Sequence, residues 1–182
     1  MAKNEAALAH TARSPELPVE SGLDHDGRKA LCEKLADDLA GTYVLYHKTQ
    51  AYHWNVTGPL FYSVHKLTDK QYKDLAKAVD AIAERIRALG MPAPVGLKNL
   101  YDDSTIDDPT GIPEAGQMLR ELALDHQHLA GKMRDTVEKA EDIGDTFTAD
   151  FITERIGTHE EFAWMLNALA VGDDRGSAPG QA

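Results

Sequence analysis

The feature that most restricts the fold of this chain is a set of apolar residues recurring every three or four positions, broken only where Gly and Pro fall together. Leu31, Leu35, Leu39, Tyr43, Tyr46 and Gln50 keep the interval of one face of an α-helix. This first segment runs to about Val56, where Gly58-Pro59 interrupts it, and Pro59 suits the first turn of the next helix. Val64, Leu67, Leu75, Val79, Ile82, Ile86 and Leu89 carry the pattern through a second segment that stops at Gly90, ahead of Pro92 and Pro94. A third begins after Pro113 with Met118, Leu122, Leu129, Met133 and Val137 on its apolar side. A fourth follows Gly144, with Phe147, Phe151, Ile156, Phe162, Leu166 and Leu169. Residues 91–111 form a long connection with a short helical turn around "GLKNLY". No segment shows the β-branched alternation of a strand. Two short connections and one long one between four amphipathic helices predict an all-α four-helix bundle with one crossover.

A chain of 182 residues, 42% of them apolar, suffices for one well-packed domain and not comfortably for two. Its expected limits are 25–171, between flexible tails at 1–24 and 172–182 that lack a sustained apolar period. No stretch approaches the roughly 18 apolar residues of a membrane span, and the first residues lack the apolar block of a secretory signal. A cytoplasmic location is expected. The single cysteine, Cys32, can form neither an internal disulfide nor a thiolate cluster, and reads as a small apolar side chain on a helix.

The net charge is −11, of which residues 1–29 and 172–182 together carry only −2, leaving −9 on residues 30–171. Acid on the folded body keeps the surface solvated or draws in cations. Duplex DNA, by contrast, meets no basic tail, so its binding is expected to be weak or absent.

Chemistry concentrates in "AYHWNVTGPLFYSVHKLTD", residues 51–69. His53 and His65 are twelve positions apart, but the Gly-Pro break folds the segment so that their rings can meet across a helix corner. Asp69 lies one helical turn beyond His65, on the same face. Further along, Asp80 and Glu84 form a second pair at i, i+4 inside the apolar surroundings of "VDAIAERI", where two carboxylates need a cation or a buried partner. One ion cannot join the two groups within a chain. Asp80 is fifteen residues beyond His65 on one helix, a separation of about 22 Å, whereas ligands sit about 2 Å from a metal. An antiparallel second copy would bring His65 and Asp69 opposite Asp80 and Glu84 twice over, so the metal site requires a dimer. Imidazole with carboxylate suits Fe(II) or Zn(II) better than Ca(II) or Mg(II), and spacing alone does not separate iron from zinc. Glu-x-x-His pairs, the mark of a di-iron centre within one bundle, are absent from the sequence.

"HWNVTGPLFYSVHKLTD" followed by "DAIAERIRALG" closely resembles the signature of the Dps family of miniferritins, and "TADFITERIGTHEEFAWML" resembles the last helix of that family. The resemblance covers about residues 30–170. It implies a ferritin-like four-helix bundle, with a short helix in its long crossover, assembled into a hollow dodecamer. It also implies ferroxidase centres at two-fold interfaces that oxidise Fe(II), with hydrogen peroxide preferred to dioxygen, and a ferric mineral stored inside. Carried over by residue, His53, His65 and Asp69 match the ligands from one subunit, and Asp80 and Glu84 match those from its two-fold mate. Iron is the implied metal, with zinc a substitute in the site. Trp54 matches the aromatic residue flanking the centre, where an indole can donate an electron; ordinary aromatic packing explains it equally well.

The resemblance also places the start of the fourth helix at a three-fold pore, where Asp145, Asp150 and Glu154 would line an iron entry by focusing cations. A helix start favours acid in any case, which accounts for Asp145 without a pore. His126 and His128 face different sides of their helix, and His47 and His159 read as surface or core residues, not ligands. The alternative function is a nucleoid-associated DNA-binding structural protein with little ferroxidase activity.

Overall fold

The computed structural model describes residues 15–171, which form five helices and, among those residues, no strand. They are α1 (His25–Asn55), α2 (Phe61–Ala88), α3 (Leu97–Asp103), α4 (Ala115–Asp142) and α5 (Thr146–Ala170). Four long helices make the bundle, and α3 lies in the crossover from α2 to α4. The expected outer tails at 1–14 and 172–182 fall outside the described residues. Residues 15–24, assigned from sequence to a flexible tail, run as non-helical chain that touches the bundle: the Leu17 N–H donates to the Gly90 carbonyl at 2.8 Å.

Local chemistry explains the boundaries. Asp24 caps α1 by accepting the Gly27 N–H at 2.9 Å. α2 starts at Phe61, two residues later than a proline in the first turn would place it, because Gly58 at φ +86° and Pro59 are used in the turn itself. Both α2 and α4 end on a glycine in the left-handed region. Gly90 has φ +95° and Gly144 φ +78°, and in each case the next residue's N–H reaches back five positions, Met91 to Ile86 at 3.2 Å and Asp145 to Ala140 at 2.8 Å. That pattern satisfies carbonyls a helix end would otherwise leave bare.

α1 and α2 pack antiparallel in one steady register. Arg28 meets the Leu89 carbonyl, Cys32 the Ile86 carbonyl, Tyr46 the ring of Tyr72, and His53 the ring of His65. α4 and α5 form the second antiparallel pair. Between the pairs lies an apolar core in which Leu31, Leu35, Leu45, Leu75, Ile82, Leu119, Leu122 and Leu166 are fully buried. Each such side chain contributes roughly 1.5–3 kcal/mol by leaving water. Cys32 is buried among them, its thiol pushed up to about 11, first of all by burial.

Two of the sequence stripes need correction. Phe147 is not core: it is 65% exposed and lies beneath the Arg85 guanidinium, 4.9 Å from its ring centre. On α1, Tyr43, Tyr46 and Gln50 are only half-buried, while Leu45, Thr49 and Tyr52 turn fully inward.

Candidate metal centre

The last turn of α1 and the first turns of α2 set His53 and His65 face to face. Their rings stack at 3.9 Å between centroids and 14° between planes. Each Nδ1 lies against the other residue's backbone carbonyl, His53 Nδ1 to His65 O at 2.9 Å and His65 Nδ1 to His53 O at 3.0 Å. A carbonyl only accepts, so each Nδ1 carries the proton and donates. The tautomer is thereby set, and on each ring Nε2 is the nitrogen left with a lone pair, which is how metal-ligating histidines are usually held. The Thr68 hydroxyl, which donates to Val64 O at 2.7 Å, closes the floor of the pair. Phe61 stacks on the outer side of His65 at 5.1 Å, and Tyr72 meets His53 edge-on at 5.1 Å.

Asp69 stands one turn further on. Lys73 Nζ approaches both carboxylate oxygens, Oδ1 at 2.7 Å and Oδ2 at 2.8 Å, and the Tyr72 hydroxyl donates to Oδ1 at 3.2 Å. The Lys73 hydrogen bond, with that of Tyr72, holds the carboxyl below its ordinary value. Asp69 is therefore ionised, as a metal ligand must be, with Lys73 as its counter-ion in the single chain.

Asp80 and Glu84 are exposed on α2, one turn apart. Of the nearby cations that could have neutralised them, Arg85 is bound to Asp145 and Thr148, and Arg87 donates to the Met91 carbonyl. Among the described residues no cluster of three or more His, Cys, Asp or Glu side chains is spaced to hold a metal. One chain brings His53 and His65 together, with Asp69 one helical turn beyond His65 and bound to Lys73 and Tyr72, and carries Asp80 and Glu84 further along α2. The donor types on both halves fit iron: imidazoles whose Nδ1 is tied to a carbonyl on one, carboxylate oxygens on the other.

Trp54 is 63% exposed, so the packing role allowed for it is not met within this chain. Asp145 requires the clearest correction. It is 4% exposed, caps α5 by accepting the Thr148 N–H and hydroxyl, and takes both of its oxygens to Arg85 at 2.8 and 2.7 Å. Burial pushes its carboxyl up, but the Thr148 and Arg85 hydrogen bonds outweigh that, and the net shift is downward. A carboxylate so engaged does not line a pore. Asp150 and Glu154 are exposed, one turn apart on α5.

Sequence reasoning also missed a buried pair. His126 and His159, each 0% exposed, bring their Nδ1 atoms to 2.8 Å between α4 and α5. Its only signal was a histidine amid the apolar period of each helix. His128, by contrast, is exposed and bonds to the Thr105 hydroxyl at 2.9 Å, so the separation of His126 from His128 holds.

Comparison with known proteins agrees with the helical fold. The ferritin-like domain family matches residues 32–175. An uncharacterized low temperature-induced protein of Nostoc sp. is 39% identical over 157 residues, 85% of this chain and 87% of the relative. A DNA protection during starvation protein of Brevibacillus brevis is 29% identical over 131 residues, 72% of this chain and 88% of that protein. The crystal structure of a Dps protein from Vibrio cholerae O1, described as a member of a broad superfamily of ferritin-like diiron-carboxylate proteins, superimposes with a TM-score of 0.79 at 28% identity, covering 86% of this chain and 99% of that one. With a bundle of this topology and these relatives, the chain belongs to the Dps family of ferritin-like proteins.

Proposed function

We propose that this protein is a miniferritin that oxidises Fe(II), with hydrogen peroxide as oxidant, at centres shared between two subunits, and stores the ferric product in a dodecameric shell. Iron is its substrate. The observation that carries this reading is the reciprocal lock of His53 and His65, which ties each Nδ1 to a carbonyl one helical turn before Asp69 while Asp80 and Glu84 stay solvent-facing. Side chains prepared for a cation, split between the two ends of one helix, have a use when an antiparallel copy completes them. Protection then comes from removing iron and peroxide together, in the cytoplasm. Asp150 and Glu154 remain as candidate carboxylates for an iron entry, and zinc as a substitute ligand of the centre.

The test is to mix Fe(II)-loaded protein with peroxide and follow the ferric absorbance. His53→Ala with His65→Ala should leave the assembly intact by light scattering and slow rapid oxidation by at least tenfold. Unchanged kinetics in an intact shell would remove the ligand assignment. The relative named for DNA protection favours a second reading, a nucleoid-associated structural protein, but charge opposes it, because residues 1–29 and 172–182 together carry −2.

A further inference from the structure

Midway along α1, between the buried Leu35 and Leu39, stands an aspartate of which only 3% is exposed, Asp38. The Thr136 hydroxyl of α4 donates to its carboxylate, whereas Oδ2 is buried with no hydrogen-bond partner among the described residues. Asp38 lines a small cavity of about 50 Å³ between α1, α4 and the crossover, together with Asp37, Thr105, Asp135 and Thr136. Lys34 and Lys132 border the same space, yet both are exposed and neither forms an ion pair among the described residues. Oδ2 needs a neighbour in either protonation state: ionised, it lacks a donor or a cation, and protonated, its O–H lacks an acceptor. Burial pushes the carboxyl up to about 7, with Asp37 and Asp135 adding to it against Thr136 and Lys34, so Lys34 supplies only part of the missing charge.

We propose that this cavity binds a hydrated divalent cation of magnesium size, held directly by Asp38 and through water by Asp37 and Asp135. The donors are all oxygen, with no imidazole or thiolate to favour zinc or iron. Mg(II) accepts one or two carboxylates while keeping several of its waters, which is what one buried acid flanked by two outer ones offers. Water-mediated contact to Asp37 and Asp135 also agrees with the absence, among the described residues, of three acids spaced to touch one ion. The space exceeds the roughly 10–15 Å³ that a lone water needs, so an ion can keep part of its hydration shell there. The Thr105 hydroxyl, bonded to His128 Nε2 at 2.9 Å, can still accept a hydrogen bond from a metal-bound water. The ion ties the middle of α1 to α4 and to the crossover, and stabilises the fold because the unfolded chain offers no such site. It shares no residue with the ferroxidase reading and stands without it.

The test uses the full chain carrying His53→Ala and His65→Ala, which removes the candidate centre, and counts bound Mn(II) by the loss of its free paramagnetic resonance signal. One Mn(II) per chain, displaced by excess Mg(II), is expected. The site should be lost in Asp38→Asn and weakened about tenfold in Asp37→Asn with Asp135→Asn, both exposed positions. Thermal midpoints give a second readout. Mg(II) should raise that of the parent above its value in EDTA and leave that of Asp38→Asn unmoved. In EDTA the Asn variant, freed of an unpaired buried carboxylate, should melt no lower than the parent. Equal Mn(II) uptake in Asp38→Asn would put the ion at other acids, such as Asp80 and Glu84, and overturn the proposal. No uptake with a midpoint insensitive to Mg(II) would overturn it as well, leaving a cavity that holds water only. An Asn variant that melts lower in EDTA would do the same, since the carboxylate would then be satisfied within the chain.

Discussion

Arg85 shows how much a single side chain does in this bundle. It leaves α2 to grip both oxygens of Asp145 and the Thr148 hydroxyl at the start of α5, and its guanidinium covers the exposed ring of Phe147. Replacing Asp145 by Ala removes the cap of α5 and leaves a largely covered guanidinium without its counter-ion. The loss should be about 3 kcal/mol, read as a lower denaturant midpoint at constant slope. An unchanged midpoint would mean that the Arg85 grip contributes nothing to the fold. At this scale the sequence is legible where a turn folds two residues back on one another, as for His53 and His65, whose rings stack across the corner. It is silent where two residues meet from sixty positions apart: nothing beside Asp145 announces Arg85, so a helix-start acid read equally well as a pore acid.

Helix ends were legible because Gly58, Gly90 and Gly144 mark turns that need positive φ, and the structure puts each there. Helix faces were less so. α1 and α5 carry large apolar residues on more than one side, with Trp54, Phe147 and Trp164 all exposed, and a three-to-four period cannot say which side meets the core. The buried pair between α4 and α5 makes its own prediction. Two Nδ1 atoms at 2.8 Å share one proton; burial, with Arg155, lowers His126 to about 3, and burial, with His126 and Arg155, holds His159 well below its ordinary value, so both rings are neutral. A lowered histidine stabilises the fold fully above the free value of 6.5 and loses that contribution as pH falls toward 3, by at most about 1.4 kcal/mol per pH unit for each ring. Asp38, pushed up to about 7 chiefly by burial, acts oppositely over the same interval. The pair is therefore read by difference: between pH 6.5 and 4 the wild-type midpoint should fall more steeply than that of His126→Gln with His159→Gln. Parallel slopes would show that the pair does not open with acid.

For the whole molecule, the decisive feature is what one chain leaves unfinished. Trp54, Phe61 and Tyr62 stand exposed around the histidine corner, Trp164 is exposed on α5, and Asp80 and Glu84 are exposed on α2. Apolar surface beside the proposed ligands asks for another copy, not for nucleic acid, because a body carrying −9 repels phosphates along its length while residues 1–29 and 172–182, at −2, offer no compensating arm. Light scattering should accordingly give a mass near twelve times 19.9 kDa, and a duplex of any sequence should migrate freely past the assembled protein at physiological salt. A monomer would remove the shared centre altogether. Retention of DNA would have to weaken sharply with added salt if basic groups caused it, so a salt-insensitive complex would point to contacts that net charge does not describe.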